Sequence, residues 1–371
     1  MSIETPKRNP ATDVDGDVVL EVRNASVTFD MERGESRVLN DVNLEIMRDE
    51  VLGVVGESGS GKSMFADSLL NAVVDPGEFS GEIIYHPEEG EPVDLHSLAP
   101  SELKEVRWEE VSFMVQGAQS AFNPTMTVRS HFWETLNEHD YDIGAGMERA
   151  REILTDLHLD ADIVLDSYPH ELSGGMKQRA LIALSLILKP NVLVMDEPTA
   201  ALDLLMQRSI ISLLNRLKEK YGLTMVFITH DLSLVSDIAD RLGVMYAFEF
   251  IELGKTKDIL RRPAHPYTRS LLNSVPNLAT VEEEMEAIPG SAPDPVDIPD
   301  GCSYHPRCPL ADEQCRRANP EMFGLGNDQG AACFYPDEAR ERLQLNYLPD
   351  DGETANTDIA GTRGSDMGGG V

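Results

Sequence analysis

A short apolar run, Val51-Leu-Gly-Val-Val55, leads into Gly56-Glu57-Ser58-Gly59-Ser60-Gly61-Lys62-Ser63, and Lys62 to Val74 has helical character. No other stretch narrows the fold as far. A G-x-x-x-x-G-K-[ST] loop belongs where a buried strand ends and a helix begins. Its glycines let backbone N–H groups close around phosphates. Lys62 supplies a cation to the β- and γ-phosphates, the Ser63 hydroxyl ligates Mg²⁺, and the helix N-terminus adds partial positive charge. A glycine turn before an ordinary helix is the plain alternative. The flanking strand and the motifs further along weigh against it.

The rest of the chain alternates strand and helix. Val18 to Phe29 alternates polar and apolar like a strand with one wet face, and Arg37 to Ile46 reads as its neighbour. Residues 97–168 are rich in Glu, Leu, Ala and Arg, with helical spacing at 130–137 and 147–158, and read as a helical insertion. Strand-like runs return at Val192–Met195 and Thr224–Thr229, each after a helical segment. This order predicts an α/β fold around a parallel sheet. Val192-Leu-Val-Met-Asp196-Glu197 also sets two carboxylates at a strand end. Asp196 suits Mg²⁺, held through water, and Glu197 suits the general base that polarises an attacking water. A solvated acidic loop would explain one carboxylate, but not this pair followed by Pro198-Thr-Ala-Ala-Leu-Asp203.

Composition excludes some partners. With 31 basic and 65 acidic residues the net charge is −34, which argues against DNA or RNA as the main ligand. Nine Lys against twenty-two Arg, on so acidic a chain, is the balance a high-salt cytoplasm favours. A halophilic source, such as a haloarchaeon, is therefore expected, with an acidic protein of an ordinary cytoplasm as the plain alternative. The longest nearly unbroken apolar run, Ala180–Leu188, is short of the about 20 residues that span a bilayer. The first residues lack an apolar signal region, so a cytoplasmic protein is expected.

With these residues in place, the chain resembles the ATPase subunits of ATP-binding cassette (ABC) transporters over residues 18–255. Leu172-Ser173-Gly174-Gly175-Met-Lys-Gln-Arg179 is similar to the family's signature, which closes over ATP bound by a partner subunit. Gln116 corresponds to the glutamine that senses Mg²⁺ and links to the membrane subunit. Asp203 matches the D-loop aspartate, and His230 the switch histidine at the γ-phosphate. Phe29 stands where an aromatic stacks on adenine, or else is a core residue of the edge sheet. The resemblance implies a P-loop NTPase (RecA-like) core with an antiparallel β subdomain, a helical subdomain at about 97–168, and ATP hydrolysis with Mg²⁺.

Residues 256–336 narrow the resemblance to importers of dipeptides and oligopeptides. Arg262-Pro-Ala-His265-Pro-Tyr267, Ile288-Pro-Gly-Ser-Ala-Pro and Gly301-Cys302-Ser-Tyr-His-Pro-Arg307-Cys308-Pro carry it, with Asn123-Pro124. The implied partners are a second ABC ATPase subunit (a heterodimer is favoured), two transmembrane permease subunits and an extracellular solute-binding protein. The implied place is the cytoplasmic face of the membrane. Nickel or oligosaccharide cargo stays open, since the ATPase touches no cargo. A soluble ABC protein of DNA repair or translation is a further alternative. Two departures stand out: Asp-Pro is missing after Gln116, and Tyr246-Ala-Phe-Glu249 lacks the usual turn glycine. Cys302, Cys308, Cys315 and Cys333 are all the cysteines present. In a cytoplasmic chain they argue for metal before disulfides. The resemblance implies a [4Fe-4S] cluster; zinc, free thiols and disulfides remain as alternatives. Residues 1–17 and 350–371 are expected to be disordered tails.

Overall fold

The computed structural model describes residues 11–12, 16–115, 117, 121–200, 202–274 and 288–346. Strands β1 (Val18–Met31) and β2 (Gly34–Met47) form a long antiparallel hairpin. Strand β3 (Val51–Val55) is buried at every position and runs into helix α1 (Lys62–Leu69). Strands β4 (Gly77–Tyr85) and β5 (Val93–Asp94) complete a four-stranded sheet in the order β2-β1-β4-β5. Helix α2 (Pro100–Val106) then leads to β6 (Val111–Met114).

Among the described residues, helices α3 (Val128–Glu138), α4 (Ile143–Asp156) and α5 (Ala161–Asp166) follow. Each begins at a side chain that accepts a backbone N–H, from Thr127, Asp142 and Asp160 respectively. Their buried faces carry Phe132 and Leu136, Ile153 and Leu154, and Val164 and Leu165. The helices of the 97–168 segment therefore lie mainly at 128–166. Residues 111–114 instead pair in parallel with β7 (Val192–Asp196) as an outer strand of the large sheet. Four residues are too few for periodicity to separate strand from helix.

Helix α6 (Gly174–Ser185) precedes β7, and α7 (Leu204–Tyr221) leads to β8 (Thr224–Ile228). After α8 (Leu232–Ser236) come β9 (Arg241–Tyr246) and β10 (Glu249–Lys255). Strands β9-β3-β8-β7-β6 are parallel neighbours. Alternation splits their side chains between two cores. Val51, Val55, Leu193, Met195, Met225 and Phe227 pack on the side of the helices. Leu52, Val54, Val192, Val194, Val226 and Ile228 pack against α1 and the small sheet.

The C-terminal extension is built into the same sheet. Helices α9 (Thr256–Arg261), α10 (Pro266–Asn273) and α11 (Glu313–Arg317) precede β11 (Phe323–Gly326) and β12 (Gln329–Ala331). Strand β12 pairs with β10 at Glu252↔Ala331 and Leu253↔Gly330, so the large sheet has eight strands among the described residues. Helix α12 (Pro336–Arg342) follows, and Arg269 holds the Leu343 carbonyl beyond it. Tyr267, Leu271, Leu272 and Tyr304 belong to the main core. At the other end of the chain Ala11 is buried, and its carbonyl accepts the Glu45 N–H. The 350–371 tail lies outside the described residues, as does most of 1–17. Among the described residues no helix is long and apolar enough to cross a membrane.

Candidate nucleotide site

The loop between β3 and α1 is held from several sides. Gly61, at φ +103, has the Val38 carbonyl 2.8 Å from where a Cβ would sit. A Cβ on Gly56 would lie 2.3 Å from the Met245 carbonyl oxygen. Neither position has room for a side chain. The β9–β10 turn braces the loop through Phe248 N–H to the Ser60 carbonyl at 3.1 Å, and the Phe248 carbonyl accepts from Asn40 at 2.9 Å. Ala247 and Phe248, at φ +48 and +72, occupy the left-handed conformations that the missing glycine would favour. Their burial and these two hydrogen bonds hold the turn without it.

Lys62 is nearly enclosed, and its Nζ donates to the Gly56 and Glu57 carbonyls at 2.9 and 2.8 Å. Burial lowers its pKa, opposed by the charges of Glu197, Asp196 and Glu57. The Ser60 hydroxyl is buried without a partner. Such an orphan fits a loop shaped for an acceptor-rich ligand.

Across from the loop, β7 ends in Asp196. Burial raises its carboxyl pKa and the Ser63 hydroxyl, bonded to it, lowers it. Asp196 Oδ1 is buried and has no hydrogen-bond partner. An unpaired buried carboxylate oxygen beside a serine hydroxyl is a donor set suited to a hard cation such as Mg²⁺. Glu197 follows at φ +48, rare for a non-glycine residue, and its N–H donates to Ile228 O at 3.0 Å. Its Oε1 lies 2.9 Å from Nδ1 of the exposed His230, just beyond β8. Both line one cleft with Thr199, Gln207, Thr229 and Asp231.

The structure thus brings Gly56–Ser63, Asp196, Glu197 and His230 together. Ser173 is exposed and caps α6, accepting from Met176 N at 3.3 Å. Gly174 and Gly175 form the first turn of that helix. The hydrogen bonds found for this segment run within α6, to the 157–158 turn and, from Gln178, to the Pro198 carbonyl. Asp203 caps α7, accepting from Met206 N at 3.0 Å. Phe29 is half-buried, its ring against Gly77 and close to the small-sheet core. Gln116 lies outside the described residues.

The four cysteines are free thiols that line a single pocket with His265, Tyr304, Leu310, Phe334 and Tyr335. Burial pushes the Cys302 thiol up to about 11 and the Cys333 thiol up to about 12. Among the described residues no group of three or more His, Cys, Asp or Glu side chains is arranged to hold one metal ion. His265 is a structural residue: buried, with its pKa lowered to about 3, it accepts from Tyr267 N at 3.0 Å as the cap of α10.

Residues outside the motifs also shape the site. The Tyr267 hydroxyl accepts the Glu57 N–H at 2.9 Å, and Arg307 holds the Glu57 carboxylate. Pairs this far apart leave no periodic trace in the sequence.

Comparison with known proteins fits this geometry. Residues 39–200 match a family model described as ABC transporter, and residues 251–315 one described as oligopeptide/dipeptide transporter, C-terminal region. A dipeptide transport ATP-binding protein, DppD, of Caldanaerobacter subterraneus is 36% identical over 326 residues, covering 87% of this chain and 98% of the relative. The chain belongs to the dipeptide and oligopeptide transport ATP-binding proteins of the ABC family. The Salmonella typhimurium member, the oligopeptide transport ATP-binding protein OppD, is 39% identical over 86% of this chain and 95% of its own length. Among solved structures, the dimeric post-hydrolysis state of the ATP-binding cassette MJ0796 with ADP and Pi aligns at TM-score 0.56 and 27% identity. It covers 64% of this chain and 98% of its own, so that similarity is to a cassette shorter than this family member.

Proposed function

We propose that this chain binds and hydrolyses ATP to drive import of di- and oligopeptides. The observation that carries the ATPase reading is the Glu197–His230 contact at 2.9 Å beside Asp196, whose buried Oδ1 lacks a partner. Gly56, Glu57, Ser58, Gly59, Ser60 and Gly61 present the phosphate-facing loop, and Lys62 supplies the charge for the β- and γ-phosphates. Ser63, Asp196 and Gln116 would hold Mg²⁺, which supplies charge neutralisation between the β- and γ-phosphate oxygens. Glu197 takes the proton of the attacking water. His230 orients Glu197 and reaches the γ-phosphate. Phe29 stacks on the adenine. Ser173, Gly174, Gly175 and Asp203 act across a dimer, with the exposed α6 N-terminus closing over the γ-phosphate held by a second, different ATPase subunit.

Membership of the peptide-transport group, with the 251–315 match, supports the cargo. Two permease subunits and a solute-binding protein complete the machine, with this subunit on the cytoplasmic face of the membrane. The charge of −34 with few lysines supports a high-salt origin. Vesicles carrying the chain with its permeases and binding protein are expected to accumulate labelled di- or oligopeptides when ATP is enclosed on the ATPase side. Accumulation of nickel or oligosaccharide in place of peptide would overturn the cargo.

Cys302, Cys308, Cys315 and Cys333 would hold a [4Fe-4S] cluster. Four free thiols around one largely apolar pocket support it. When bound, the cluster ties these four points of a loop-rich segment through iron–thiolate bonds. Anaerobically purified protein is expected to contain about four iron and four acid-labile sulfide per chain. Protein with neither would sink the cluster.

A further inference from the structure

We propose that Arg307 is a positioning residue of the nucleotide site: its guanidinium, carried by the cysteine-bearing extension, neutralises and fixes Glu57 inside the phosphate loop. Glu57 sets a carboxylate one position past Gly56, in a loop that must receive a polyanion. Arg307 answers it with a two-pronged contact, Nη1 to Oε2 at 2.7 Å and Nη2 to Oε1 at 3.0 Å. The arginine side chain is 6% exposed and the glutamate 24%, so water screens the pair weakly.

Arg307 is itself pinned. Its Nε donates to Pro289 O at 2.6 Å, its guanidinium lies over the Tyr246 and Tyr304 rings, and Cys308 of the thiol pocket is its neighbour in the chain. Residues 288–297, which it grips at Pro289, run on to the hairpin that carries Phe29. Asp294 pairs with Arg33 at 2.7 and 3.0 Å, and Pro295 O accepts the Arg37 N–H at 2.9 Å. Tyr267 anchors the same loop residue through the Glu57 N–H. The extension therefore grips both the phosphate loop and the β1–β2 hairpin. Without Arg307, Glu57 would draw on Lys62, the cation meant for the triphosphate, as its only charge partner within the loop.

The inference rests on the ATP reading, and equilibrium ATP binding to the full-length chain tests it. Lys62→Ala serves as the control for that reading: if ATP binding survives it, the nucleotide site itself is misassigned. Arg307→Ala is expected to weaken ATP binding about tenfold or more, the scale of one charge-assisted contact. Arg307→Lys, which keeps the charge, is expected to lose about threefold or less. The decisive variant is Arg307→Ala with Glu57→Gln, which is expected to recover most of the lost affinity because the carboxylate that draws on Lys62 is gone. A merely structural arginine would show no such rescue. Unchanged affinity in folded Arg307→Ala, or a double variant as weak as the single one, overturns the proposal. Should Arg307→Ala fail to fold, Arg307→Gln alone and with Glu57→Gln gives the same comparison.

Discussion

Glu197→Gln protein is expected to bind ATP, to hydrolyse it at least about a hundredfold more slowly, and to accumulate as an ATP-held dimer. The amide keeps the shape of the carboxylate and its contact distance to His230 but cannot accept the water's proton. Lys62, Ser63 and Asp196 are untouched, so the triphosphate is still held. In the proposed dimer hydrolysis would release the signature of one subunit from the phosphate of the other, so blocking it would leave the closed state populated. Phosphate release and size-exclusion chromatography with and without ATP, on the chain with its partner ATPase, read both effects. Near-normal turnover in this variant would remove Glu197 from the role of base.

Glu252→Ala is expected to destabilise the fold by about 3–5 kcal/mol. Glu252 lies in β10 with no exposure, and burial raises its carboxyl pKa. Its two oxygens accept Ala264 N at 2.7 Å, His265 N at 2.9 Å and Gln329 Nε2 at 2.8 Å. One side chain thus ties the last strand of the cassette to the start of α10 and to β12. Its removal strands two backbone N–H groups in a dry interior and takes one of the two acceptors of the Gln329 amide, leaving the Arg262 carbonyl. Glu252→Gln, which keeps an acceptor, should lose less. Urea denaturation followed by circular dichroism measures both. Equal midpoints for Glu252→Ala and the unaltered protein would show that water or a local shift satisfies these donors.

The phosphate loop and its flanking strands were legible because they are contiguous. Apolar runs such as Val51–Val55, Val192–Asp196 and Thr224–Ile228 announce strands buried on both faces, and the spacing of Gly56, Gly61 and Lys62 is that of a phosphate-binding loop. Strand β6 was hidden, since four residues between helical segments show no period. The β9–β10 turn ran against local rule: Ala247 and Phe248 take positive φ without glycine because neighbours in space hold them.

By itself the sequence determined the chemistry within each motif: a phosphate cradle, two carboxylates at a strand end, a histidine after another strand and four cysteines near the C-terminus. Only the tertiary structure decided how they meet. It put Glu197 against His230, gathered the four thiols around one pocket, and joined the extension to the sheet through β12. It also brought Arg307 onto Glu57, 250 residues away. Motif chemistry is carried by neighbours along the chain, where spacing dictates geometry. These pairings depend on burial and strand order, which many distant side chains set together.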